Sequence, residues 1–246
     1  MIDFLSRAGF VVVLLLSAVG ILSSVTRFNG TLAYLSDPAT FDAQQMPELM
    51  REFNARYYAS PYLTLVHVTT GFVFMVLGPV QFLASIRNRF LSFHRWSGRV
   101  FLLASLVGVI SALTFVPMLP VFGSFSTRVG VVFAAAVFMV SLVMGFVRIR
   151  QRQIAKHREW MIRLFAIGLG ISTFRVLLPL LMMPPLSATF PEAWDTVVWL
   201  GFAINMLVAE VWINLTRPKP TRQHVPAAKG GMIRGVTESS VAPIVS

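Results

Sequence analysis

The chain contains no cysteine. Disulfides, thiolate metal sites and cysteine nucleophiles are therefore excluded outright. Acidic residues are scarce as well: ten Asp and Glu stand against 21 Lys and Arg in 246 residues. No paired-carboxylate site, Walker motif, HExxH sequence or nucleophile elbow is present, which disfavours soluble-style hydrolysis and ATP-driven transport. The first apolar run also lacks a clean A-x-A cleavage site, ending instead in Ser23-Ser24-Val25-Thr26-Arg27. It is read as a retained span rather than a signal peptide.

What the chain has in abundance is apolar sequence, with 56% hydrophobic residues and a mean hydropathy of +0.72. Six runs, at residues 8–26, 62–86, 96–116, 129–147, 160–182 and 194–215, come near the ~20 residues that carry a helix across a ~30 Å hydrocarbon core. Backbone groups in lipid must be bonded internally. The expected fold is accordingly an all-α, polytopic integral membrane bundle of six transmembrane helices. Residues 1–27 would form the first transmembrane helix, and 28–61 an external loop with a short surface helix opening at Pro47. Residues 62–216 would be a five-helix membrane core, and 217–246 a disordered polar tail. Tyr57, Tyr58 and Tyr62 are expected at the outer interface.

The net charge of +11 has to be read by position. Most of the basic residues are Arg7, those of segments 87–99 and 148–163, and those of the tail from Arg217 onward. Arg27, Arg51, Arg56 and Arg128 fall on the other side. With six spans, all four rich segments share one face, which the positive-inside rule makes cytoplasmic, together with both termini. The basicity thus points to anionic lipid at the cytoplasmic face and away from nucleic acid.

Two segments on that face are alike in type: His94-Arg95-Trp96-Ser97-Gly98-Arg99 and His157-Arg158-Glu159-Trp160-Met161-Ile162-Arg163. Each opens a span with His-Arg, follows with an aromatic and places a further arginine deeper. Together with His67, Leu77-Gly78-Pro79-Val80-Gln81-Phe82 and Phe174-Arg175, they resemble a bacterial family of predicted membrane proteins of unknown function. The likeness covers about residues 62–182, and its HR-x-x-GR and HR-x-W-M-x-R motifs are fairly specific. It implies a multi-pass protein of the bacterial cytoplasmic (inner) membrane and brings no established activity, substrate or cofactor. A more distant likeness is to diheme transmembrane cytochromes, whose bundles hold histidine pairs. Here only His67, His94 and His157 lie near spans, His224 being in the tail, whereas two bis-histidine sites need four.

Depth sorts these residues. His94 and His157 open spans that enter from the same side, so they lie at equal depth on non-adjacent helices, as a sandwiched b-type haem requires. Neutral imidazole is an axial ligand of haem iron, and Arg95, Arg99, Arg158 and Arg163 would be at hand for its propionates. The first functional expectation is therefore an electron-transfer protein holding one haem b between His94 and His157 and acting with quinone. The second is a non-enzymatic transporter, sensor or assembly factor whose intramembrane charges are structural.

The polar residues inside spans bear on both. Arg175 lies ~27 Å along its helix from His157 at 1.5 Å per residue, with His67 at similar depth. By depth its partner would be Asp195, His67 or an anionic ligand. Glu210, with Asn205 about a turn and a half before it, should meet Arg163, Arg99 or His157. Buried charges of this kind are costly unless paired. Gln81 lies beside Pro79, which should kink the second span and free the Met75 carbonyl. Gly71, Gly78, Gly168 and Gly170 would let helices approach closely.

Overall fold

The computed structural model describes residues 2–40, 54–55, 57–118 and 125–217. Among these no strand occurs, and six helices are long and apolar enough to cross a membrane. They are α1 (Ile2–Ser36), α2 (Pro61–Phe82), α3 (Leu91–Phe115), α4 (Phe125–Arg150), α5 (Ile154–Met182) and α6 (Phe190–Thr216). A short helix, Ala84–Arg89, links α2 to α3. The expected surface helix opening at Pro47 and the tail beyond Arg217, including His224, lie outside the described residues.

The helices outrun the apolar runs. Hydropathy measures the stretch that suits lipid, whereas a helix continues until its hydrogen bonding is broken. Helix α1 continues to Ser36, so residues 28–36, expected in the external loop, are helical. Nothing stops it before Asp37, whose position preceding Pro38 disfavours helix. Tyr34 on this extension stacks on Tyr58, with ring centroids 4.4 Å apart. Arg27 donates to Asn54 Oδ1 at 2.7 Å and lies over the Tyr57 ring at 4.1 Å. Tyr57 and Tyr58 thus pack on α1; Tyr62, 73% exposed, is left facing outward.

Helix α2 ends at Phe82, four residues before the expected limit. Pro79 cannot donate to the ladder, and four residues later Leu83 turns extended. The break lets Ala84–Arg89 turn the chain, so α3 starts at Leu91 and takes His94 and Arg95 into its first turn. Pro179 stands in the same relation to the end of α5, which comes at Met182 with Met183 extended.

Helix α5 is the hub. It packs most extensively on α6 and α4 and more lightly on α1, while α2 lies between α1 and α3. A core of Phe74, Met75, Phe101, Leu142, Leu164, Phe165 and Leu169 joins α2, α3, α4 and α5. A second core of Phe174, Trp194, Val197 and Val198 joins α5 to α6. Large side chains such as Leu15, Leu103, Phe133 and Leu207 stay exposed, as lipid-facing residues should. Because lipid is as apolar as leucine, close packing and polar bonds must hold the helices together. Gly170 and Gly201 bring α5 and α6 so near that a Cβ at Gly201 would lie 2.7 Å from the Gly170 oxygen.

Candidate functional site

The residues singled out by sequence fall at two ends of the bundle. At the end carrying the two His-Arg motifs, His157 Nδ1 lies 2.8 Å from the Gly145 carbonyl of α4. A carbonyl only accepts, so Nδ1 carries the proton and Nε2 keeps its lone pair. A Cβ at Gly145 would sit 2.9 Å from Met161 Sδ, so α4 and α5 pack closely beside this bond. His94 is half-buried on α3, and its Nδ1 is enclosed without a hydrogen-bond partner.

The surrounding motif residues divide by role. Ser97 is buried and accepts from Gln81 Nε2 at 2.7 Å while donating to the Phe93 carbonyl at 2.7 Å. Gly98 lies against Gln81 as well: an added Cβ would come 3.2 Å from Oε1. The Ser-Gly of the first motif therefore clamps α3 to α2 just beyond the Pro79 bend. Arg95 and Arg99, with Trp96, are exposed on the outer surface, where their shared face suits lipid phosphate. Arg158 donates to Thr216 Oγ1 at 3.1 Å.

Arg163 grips Glu210 with two bonds, Nε to Oε1 at 2.5 Å and Nη2 to Oε2 at 2.9 Å, and lies over the Trp160 ring. Glu210 thus meets one of the three partners that depth allows. The same bonds hold Arg163, one of the four arginines expected beside haem propionates, on a carboxylate already in the bundle. Among the described residues no three or more His, Asp and Glu side chains gather in the manner of a metal site.

At the opposite end the structure corrects the expected Arg175–Asp195 pair. Asp195 accepts from Thr127 of α4, while Arg175 Nη1 donates to the Ile171 carbonyl one turn back, at 3.0 Å. Nearby, Trp199 Nε1 donates to Ser126 Oγ at 2.9 Å. Asn205 and Thr173 exchange bonds of 2.9 and 3.1 Å across α5 and α6. These contacts are interhelical glue.

Arg175 instead borders a cavity of about 350 Å³ between α1, α2 and α5. His67, Arg27, Tyr57, Ser23 and Ser24 line it too, as do Gly20 and Gly71. The expectation that His67 and Arg175 share a depth is met by a shared cavity. His67 Nδ1 lies 2.9 Å from Ser111 Oγ, and that hydroxyl donates its proton to the Gly108 carbonyl at 2.8 Å. His67 Nδ1 must therefore donate, leaving Nε2 as the ring's remaining polar atom. Gly71 is open where close packing was expected: a Cβ there would meet only Ser24 Oγ, at 3.7 Å. Sequence reasoning missed Arg27 and Tyr57, which the apolar run and the interface rule assign to the outer surface.

Comparison with known proteins adds a family and no function. The family described as predicted membrane protein (DUF2306) matches residues 64–213, and this chain belongs to it. No curated protein and no solved structure matches the chain.

Proposed function

We propose that this protein is a b-type haem electron carrier of the bacterial inner membrane, with His94 and His157 as axial ligands and quinone as its membrane-soluble partner. The observation that carries the reading is the His157 Nδ1 to Gly145 carbonyl bond of 2.8 Å. An iron-ligating histidine almost always donates its other ring N–H in this way, which fixes the tautomer and aims the lone pair. Haem would supply a reversible one-electron couple. The chain's own contribution is to hold two neutral imidazoles on α3 and α5, with Arg158 and the exposed Arg95 and Arg99 as cationic partners for carboxylates.

The test is spectroscopic. Protein purified from haem-replete cells should show a Soret band that sharpens on dithionite reduction, and His157→Ala or His94→Ala should abolish it. A colourless preparation overturns the reading. The second reading, a non-enzymatic transporter, sensor or assembly factor, would then stand. It draws on Arg163–Glu210, Gln81–Ser97 and Thr173–Asn205, which are satisfied inside the bundle.

The orientation proposed with this function puts the His-Arg motifs and both termini in the cytoplasm. Reporter fusions at Gln151 and Thr221 should give an inside signal and a fusion at Ala43 an outside one; any reversal overturns the topology.

A further inference from the structure

We infer that the cavity between α1, α2 and α5 is a binding site for an oxyanion, a phosphate or carboxylate group held by Arg175. It contains neither proposed haem ligand, so it stands or falls independently of the haem.

The argument starts from charge. Two guanidiniums, Arg27 and Arg175, border one cavity within the spanning helices, and among the described residues no carboxylate lines it. Arg27 is engaged by Asn54 and Tyr57. Among the described residues, the hydrogen bond that Arg175 makes is to the carbonyl of its own helix, from one of its five N–H donors. The residue that depth offered as its counter-ion, Asp195, is on Thr127. A cation placed inside a span without an acidic partner is costly, and such residues characteristically mark ligand or ion paths. The guanidinium fork matches the paired oxygens of carboxylate and phosphate, and its pKa keeps it charged.

The remaining lining suits the same ligand. Ser24 donates to the Gly20 carbonyl at 2.9 Å, which fixes its hydroxyl oxygen at the wall, and Tyr57 and His67 add polar atoms from α2 and the segment before it. Gly71 is where a side chain would otherwise fill the space. At about 350 Å³ the volume falls in the range of small-ligand pockets. Both a free anion and the head group of an acidic lipid carry this chemistry.

The experiment uses the full chain in neutral-lipid nanodiscs, titrated separately with inorganic phosphate, acetate and short-chain phosphatidic acid, and read by thermal unfolding. Saturable stabilisation by phosphate or acetate identifies a free anion; stabilisation by phosphatidic acid alone identifies a lipid head group. Either supports the site only if Arg175→Leu weakens the apparent affinity by about tenfold or more, the scale of a lost charge-assisted bond. Arg150→Leu, exposed at the opposite end of the bundle, should leave it unchanged. Should Arg175→Leu fail to fold, Gly71→Leu serves in its place, since it fills the cavity where a side chain has room and leaves every charge intact. No saturable shift with any of the three anions, or equal shifts in wild type and in the Arg175→Leu or Gly71→Leu protein, overturns the inference.

Discussion

Arg163→Leu is expected to destabilise the bundle, and adding Glu210→Leu to restore most of the loss. Arg163 is 17% exposed and holds Glu210 by two bonds between α5 and α6, the most extensively packed pair of helices. Removing the arginine takes from Glu210, on a spanning helix, the guanidinium that bonds both of its carboxylate oxygens. Breaking a fully buried pair typically costs ~3–5 kcal/mol. Glu210 is 41% exposed, so part of that is relieved by water or head groups, and about 1–3 kcal/mol is the expected loss. The double mutant needs no partner on either helix, and leucine suits the lipid. Unfolding of the four proteins of this cycle in detergent measures the coupling directly. A double mutant no more stable than Arg163→Leu alone would show that the bond contributes nothing and that Arg163 acts through its packing on Trp160.

Gly78→Val should be comparably damaging for a reason of shape. A Cβ at Gly78 would overlap the ring of Phe165. That ring is 3% exposed and has Phe74 and Phe82 packed against it, at centroid distances of 5.3 and 5.5 Å. It has nowhere to swing, so α2 and α5 must separate and the core around Phe101 and Leu169 must loosen. Overpacking of this kind costs ~1–3 kcal/mol, and more where backbone must shift. Gly71→Ala, seven residues earlier on α2, is the control. Its Cβ has room, and alanine gains up to ~1 kcal/mol of helix propensity over glycine. Equal melting temperatures for Gly78→Val and Gly71→Ala would contradict this account of the α2–α5 contact, whereas partial rescue of Gly78→Val by Phe165→Leu would support it.

The contrast between these two glycines shows how far pattern reading reaches. Both have glycine's sequence signature, and both suggested close packing. Only Gly78 faces a ring, because α5 presents Phe165 against it, whereas Gly71 opens on the cavity that Arg175 borders. The same holds for the charges. Depth along the helices limited Glu210 to three partners and Arg175 to three, since 1.5 Å per residue is fixed by helix geometry. Depth says nothing about azimuth, however. Rotation about the helix axes turned Arg163 toward Glu210, turned Asp195 toward Thr127 and left Arg175 beside a cavity.

Sequence alone determined that this is a six-span helical membrane protein, that its chemistry is cysteine-free, and which polar residues sit within its spans. Those properties follow from hydropathy, length and composition, which the bilayer reads one segment at a time. The ends of the helices, the anchoring of His157 on Gly145, and the gathering of Arg27, Tyr57, His67 and Arg175 around one cavity were decided by tertiary structure. Each depends on which face one helix turns to another, and that is set by the packing of all six together.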